Sequence, residues 1–312
     1  MTALPPAAAA AASSLQALRG IACLVLAIAL FSAMDVMVKL LAADYPTLQL
    51  VFFRSVFALV PLSFAVARAG GLRMLRTRRP FAHILRSAAG LGAMVAFFAS
   101  YASLPLAEAY AIAFAAPLML TAMAGPLLGE WIGWRRWCAV IVGFVGVLVI
   151  LRPGMGVLAP AALLCLAGTV LYALAMVMIR KLGSTETTVA IVFYFTLTCA
   201  VVGGLGMLPD WVTPRSPTDL ALMIGTGLVG GLAQLLMTSA FRSAPAATLA
   251  PFEYTALVWG IGFGWLVFGD WPDSVVFLGA AIVVGSGLYI VHREALRHRA
   301  LRMAAVSAET PA

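Results

Sequence analysis

Ten stretches of about 18 to 23 mostly apolar residues follow one another along the chain with little between them: 20–42, 47–67, 84–104, 107–128, 134–151, 157–179, 188–208, 219–241, 246–268 and 273–291. At ~1.5 Å of rise per residue, each makes a helix of roughly 27–35 Å, which matches the hydrocarbon thickness of a bilayer. The pattern predicts an all-α membrane protein with ten transmembrane helices. Several connections span only three to six residues, so neighbouring helices must run antiparallel.

Sliding the chain against itself by about 140 residues aligns Tyr101, Ser103 and Pro105 with Phe241, Ser243 and Pro245, and Gly129-Glu130 with Gly269-Asp270. One more residue of shift sets AMDVMVK (33–39) on LAMVMIR (174–180) and GVLVILR (146–152) on GLYIVHR (287–293). Two five-helix repeats are predicted, 19–152 and 153–292. Five is odd, so the second repeat enters from the opposite face and the two are inverted, a plan that places a solute site near the midplane between the halves. Residues 1–18, Ala-rich and broken by Pro5 and Pro6, carry no positive segment ahead of an apolar one and are expected to form a loose cytosolic tail. Residues 293–312 are expected to form a basic cytosolic tail.

Composition narrows the class further. Hydrophobic residues make up 63% and charged residues 10% of the chain, and the mean hydropathy is +1.04, which excludes an ordinary soluble globule. The net charge of +8 does not signal nucleic-acid binding, because the basic residues sit in short loops. Sixteen of the 20 Lys and Arg, Arg86 among them, fall in segments on the side of the N-terminus, only Arg152 and Arg215 fall opposite, and Lys39 and Arg54 lie within spans. This asymmetry predicts both termini in the cytosol. Trp131, Trp134, Trp137, Trp211 and Trp271 fall near predicted interfaces, where indole rings anchor helices.

Against this background the polar residues inside spans are the informative ones. Glu253, beside Tyr254, lies about seven residues into the ninth span, where a charge costs on the order of 2.5–3.5 kcal/mol unless it faces a partner or a polar cavity. Either it meets a polar or cationic solute, or neighbouring hydroxyls and backbone satisfy it. Asp35 and Lys39 share one face of the first helix, and Arg54 lies in the second at the depth of Asp35. A cross-hairpin Asp35–Arg54 ion pair is predicted, serving either to neutralise two buried charges or to gate the passage. Tyr101, Tyr172, Gln234 and Trp259 are candidates to line a central cavity, where aromatic rings suit a flat or cationic solute. Glu108, close behind the turn at Pro105, reads as interfacial. Small-xxx-small spacings at Gly125, Gly129 and Gly133, at Gly227 and Gly231, and at Gly260 and Gly264 predict close helix approach.

Enzymatic chemistry finds little support. HExxH, GxSxG and Walker A patterns are absent, and His83, His292 and His298 all fall at cytosolic ends. Gly285-Ser286-Gly287 lacks the partners a serine nucleophile needs. Cys23, Cys138, Cys165 and Cys199 are isolated in apolar segments and read as small buried residues rather than metal ligands or disulfides. No metal or cofactor is expected. An intramembrane lipid-modifying or proteolytic enzyme is therefore the disfavoured class beside a carrier.

GEWIGWRRW and FGDWPD, each opening the last helix of a half, resemble the repeat landmarks of the drug/metabolite transporter superfamily, EamA family. The resemblance covers residues 19–292. SAMDVMVK followed by FFR, RPFAHILR, GFVGVLVILRP and the APFEY segment resemble a bacterial branch that includes S-adenosylmethionine uptake carriers. Riboflavin carriers and amino-acid or drug exporters are found in the same broad family. The resemblance implies a multi-pass bacterial inner-membrane carrier working by alternating access on a small molecule, with a cavity lined by the first, third, fourth, sixth, eighth and ninth helices. Asp270 stands where the first half has Glu130.

Overall fold

The computed structural model describes residues 6–129, 133–152, 160–183, 185–243 and 246–309. Glu130, Trp131 and Pro245, used above as landmarks or anchors, and the junction at residue 153 lie outside the described residues. The described chain is helical, as α1 (Pro6–Ala42), α2 (Thr47–Ala69), α3 (Pro80–Tyr101), α4 (Leu106–Ala113), α5 (Ala116–Leu128), α6 (Trp134–Leu151), α7 (Pro160–Leu182), α8 (Thr188–Gly206), α9 (Pro217–Ser243), α10 (Ala246–Glu253), α11 (Thr255–Phe268) and α12 (Ser274–Glu309).

Local chemistry sets these boundaries. Pro80, Pro160 and Pro217 open their helices, where the missing N–H costs nothing and φ is already helical. Thr187 caps α8 by accepting from the Ala190 N–H at 3.2 Å. Gly269, at φ 71°, stops α11 in the left-handed conformation that glycine takes without penalty.

Among the described residues, nine helical runs are long and apolar enough to cross a bilayer. The ninth pass, 246–268, is the remaining one and is divided at Tyr254 into α10 and α11, each too short to span alone. The fourth pass is likewise interrupted, at Phe114–Ala115 between α4 and α5. Pro117 and Pro251 stand beside the two interruptions, and proline there withdraws a helical N–H. The N-terminal segment differs from the loose tail expected of it, being helical from Pro6 as part of α1, and α12 continues into the basic C-terminal segment as far as Glu309. An alanine run after Pro6 favours helix intrinsically, and α12 carries on through good helix formers with no breaker.

The packing obeys a twofold exchange of halves. α1 packs on α9 and α3 on α7, which are equivalent pairs; α2 packs on α8, and α6 on α12, across the exchange axis itself. The pairings of α2 with α9 and of α3 with α8 are likewise images of one another. Glycines let these crossings close: a Cβ at Gly146 would lie 3.0 Å from the Gly279 carbonyl, and one at Gly231 only 2.5 Å from Pro61 Cγ. Gly227 and Gly260 are similarly packed, against Phe57 and Tyr110, whereas Gly264 meets only Asp270 O at 3.6 Å and Gly129 meets nothing. The molecule is thus two inverted five-helix repeats around a shared interior.

Candidate functional site

Let the side carrying the termini be the near side. On the far side the two halves are tied together. Lys39 Nζ lies 2.8 Å from Asp270 Oδ2, donates to the Leu104 carbonyl at 3.2 Å, and stands 4.6 Å over the Phe268 ring. Tyr45 donates to Asp219 at 2.6 Å and accepts from the Arg215 N–H; Gln49 bonds the Val212 backbone through both ends of its amide. Arg215–Asp44 and Arg152–Asp273 add exposed ion pairs. α11 packs against α1 and α4, and the Phe114 and Tyr254 rings touch at the two helix interruptions with centroids 5.1 Å apart. Nearer the termini the partners diverge. α5 lies on α6 and α7, whereas α10 lies on α1, α9 and α12.

The sequence-predicted residues fall into three groups. Glu253 ends α10 about 11 Å along from Ala246 at helical rise. It is half-buried, and no side chain or backbone group among the described residues forms a hydrogen bond or ion pair with it. Tyr172 from α7 is within electrostatic reach of both Glu253 and Arg86 and keeps 42% of its surface accessible. The Tyr254 hydroxyl is buried beside Gly287 without a hydrogen-bond partner.

A second group surrounds Asp35. Tyr110, from α4, donates to Asp35 Oδ2 at 2.7 Å, and the Tyr101 hydroxyl also lies in reach of this carboxylate. Gly260 allows this arrangement, since a Cβ there would come within 2.7 Å of Tyr110 Cε2. The predicted direct Asp35–Arg54 ion pair is not formed: no Arg54 nitrogen lies within 4.0 Å of the carboxylate, and the two interact only at longer range. Equal depth on a hairpin does not fix rotation about each helix axis, and Arg54 turns instead toward α9. Lys39, a turn above Asp35, belongs to the far-side tie with Asp270.

Gln234 belongs to a third group, a cleft among α2, α3, α8 and α9 that also holds Arg54, Arg86, Phe195 and Thr196. Trp259 stands apart from all three: it stacks on Phe263, with centroids 5.8 Å apart, and packs into an apolar cluster with Leu24, Ile28 and Leu249. Trp134, Trp137, Trp211 and Trp271 are 43–68% exposed, as interfacial anchors require.

Sequence reasoning missed Arg86, Tyr110 and the partnership of Lys39 with Asp270. Arg86 was assigned to the cytosolic end, yet α3 begins at Pro80 and the residue is 7% exposed. Pro80 at a helix start was the available signal. Among the described residues no group of His, Cys, Asp or Glu is arranged to hold a metal ion, and all four cysteines are free.

Comparison with known proteins agrees with this architecture. The profile of the EamA-like transporter family matches residues 18–152 and 159–291. The chain is 32% identical to an S-adenosylmethionine uptake transporter of Rickettsia bellii over 276 residues, covering 88% of this chain and 94% of that protein. It is 32% identical to a riboflavin transporter of Vibrio cholerae (82% of this chain, 89% of that one) and 30% identical to a pseudopaline exporter of Pseudomonas aeruginosa (85% and 93%). A crystal structure superimposes with a TM-score of 0.62 at 18% identity, covering 90% of this chain and 98% of its own, and shows the shared fold. Ten apolar passes, inverted halves and an interior holding charged groups are what a small-molecule transporter of a bacterial inner membrane requires, and not what an enzyme does. The chain belongs to the EamA-like transporter family.

Proposed function

We propose that this protein carries a small, positively charged polar metabolite across the bacterial inner membrane by alternating access, with S-adenosylmethionine as the solute and both termini in the cytosol. The observation that carries the reading is Glu253: a carboxylate within a membrane pass, half-buried, with no partner among the described residues, and within electrostatic reach of Tyr172. A sulfonium cation held there would offset the charge that the membrane otherwise penalises, and the Tyr172 ring supplies a π face. The identity to S-adenosylmethionine uptake transporters favours the same solute. The far-side tie at Lys39–Asp270 and the separation of α5 from α10 suit a state open toward the cytosol.

Uptake of labelled S-adenosylmethionine into proteoliposomes, comparing the parent with Glu253→Gln, tests the reading. Saturable uptake lost in the variant supports it; undiminished uptake removes Glu253 from the site. A flat riboflavin-like solute is the second reading, favoured by the Tyr172 and Tyr254 rings beside Glu253 and by the Vibrio cholerae relative. Competition by unlabelled riboflavin decides between them. A reporter at Ala312 reading periplasmic would reverse the orientation.

A further inference from the structure

The cleft among α2, α3, α8 and α9 holds two arginines with no acid to match them. Arg54 and Arg86 are 8% and 7% exposed. Among the described residues neither has a carboxylate within 4.0 Å, and no group accepts from Arg54 Nε or from Arg86 Nε and Nη1. The Arg86 guanidinium lies 3.9 Å over the Phe195 ring, a position Gly90 permits, since a Cβ there would lie 2.8 Å from Phe195 Cε2 and 3.1 Å from Arg86 Nη1. The two guanidinium groups are within electrostatic reach of one another, and Asp35, already bonded to Tyr110, faces Arg54 only from a distance. Two like charges held in a membrane interior, with only the distant Asp35 to offset one of them, are expensive. A structure that retains them is built for an anion.

The neighbours narrow its chemistry. Thr196 donates its proton to the Val192 carbonyl at 2.9 Å, which leaves the Gln234 amide as the neutral donor on the wall. The free core of the cleft is about 20 Å³, more than the ~10–15 Å³ one water needs. That admits a small polar group. Planar guanidinium forks match a carboxylate's two oxygens better than a spherical ion. Tyr172 stands within electrostatic reach of both Arg86 and Glu253.

We propose that Arg54 and Arg86, with Gln234, form a subsite for the carboxylate of a zwitterionic solute whose cationic end is held at Glu253. The assignment of the opposite end rests on the transport reading above; the carboxylate site stands on the cleft itself.

The two are tested separately. For the full chain in detergent, at ionic strength matched with sodium sulfate, sodium acetate raises Tm by about 2 °C or more and sodium chloride by less. The shift vanishes in Arg86→Gln and falls by more than half in Arg86→Lys, which keeps the charge without the fork. An equal shift from chloride, or an acetate shift that survives in Arg86→Gln, overturns the proposal. In proteoliposomes, decarboxylated S-adenosylmethionine competes with labelled S-adenosylmethionine about tenfold more weakly than the intact compound does, and the difference is lost in Arg86→Gln. Equal competition in the parent overturns the subsite while leaving the carrier reading intact. No uptake at all, beside an Arg86-dependent acetate shift, refutes the solute and upholds the anion site.

Discussion

Lys39 on the first helix and Asp270 at the mouth of the last are 231 residues apart in sequence and 2.8 Å apart in space. Asp270 keeps 36% of its side chain accessible, so the pair adds about 1 kcal/mol or less to stability, and its effect should show in conformation. In a background with Cys23, Cys138, Cys165 and Cys199 replaced by alanine, Leu104→Cys lies beneath this tie. Adding Asp270→Asn is expected to speed its labelling by an impermeant maleimide several-fold, because less holds the far side shut. An unchanged labelling rate would show that the ion pair does not bias the closure.

Tyr110 is the direct hydrogen-bond donor to Asp35. Tyr110→Phe keeps the ring against Gly260 and removes the proton, which leaves a buried carboxylate one bond short. The expected loss is about 1–3 kcal/mol, read as a lower Tm in detergent, and Asp35→Asn in the same background should recover part of it. If the two losses simply add, the hydroxyl and the carboxylate are not coupled.

The glycine spacings divide by what a methyl group would meet. Gly227→Ala drives its Cβ into Phe57 and to 2.9 Å from the Arg54 carbonyl, backbone that cannot yield, and should destabilise by about 1–3 kcal/mol. Gly264→Ala meets only an ordinary 3.6 Å contact and should be neutral or gain up to ~1 kcal/mol from helix propensity. Thermal unfolding of the two variants gives the comparison, and equal losses would contradict the packing.

Asp273 is held below the usual aspartate range, first by the hydrogen bond from Arg152 and then by the Val276 N–H. A carboxyl with a depressed folded-state pKa stabilises above its unfolded value of about 3.9, and this stabilisation is lost as pH falls through the lower folded value. Tm plotted against pH should therefore fall less steeply below about pH 4 in Asp273→Asn than in the parent. Identical acid limbs would show that the pair is unformed in solution.

The ten passes were legible in the sequence because hydropathy and length alone decide what crosses a bilayer. The break at Tyr254 was not, since an unbroken apolar run looks the same whether or not its helix is continuous, and Pro251 was the sole mark. Depth was readable and azimuth was not. Asp35 and Arg54 are equidistant from the turn in sequence, yet Tyr110, reaching in from the fourth pass, takes the carboxylate. Arg86 was read at the cytosolic end because the span was begun at 84 instead of at Pro80, and one turn of helix separates a loop cation from a buried one. Lys39 and Asp270 meet only after nine passes have folded back, a relation that local pattern does not encode.

The touching interruptions at Phe114 and Tyr254 give α10 the mechanics of a short lever. Eight residues make a rod of ~12 Å, so a swing of ~20° about Tyr254 would carry its free end ~4 Å sideways while α11 stays clamped against α4 and α1. An aperture can thus widen or narrow at one face of the membrane without either bundle tilting as a whole.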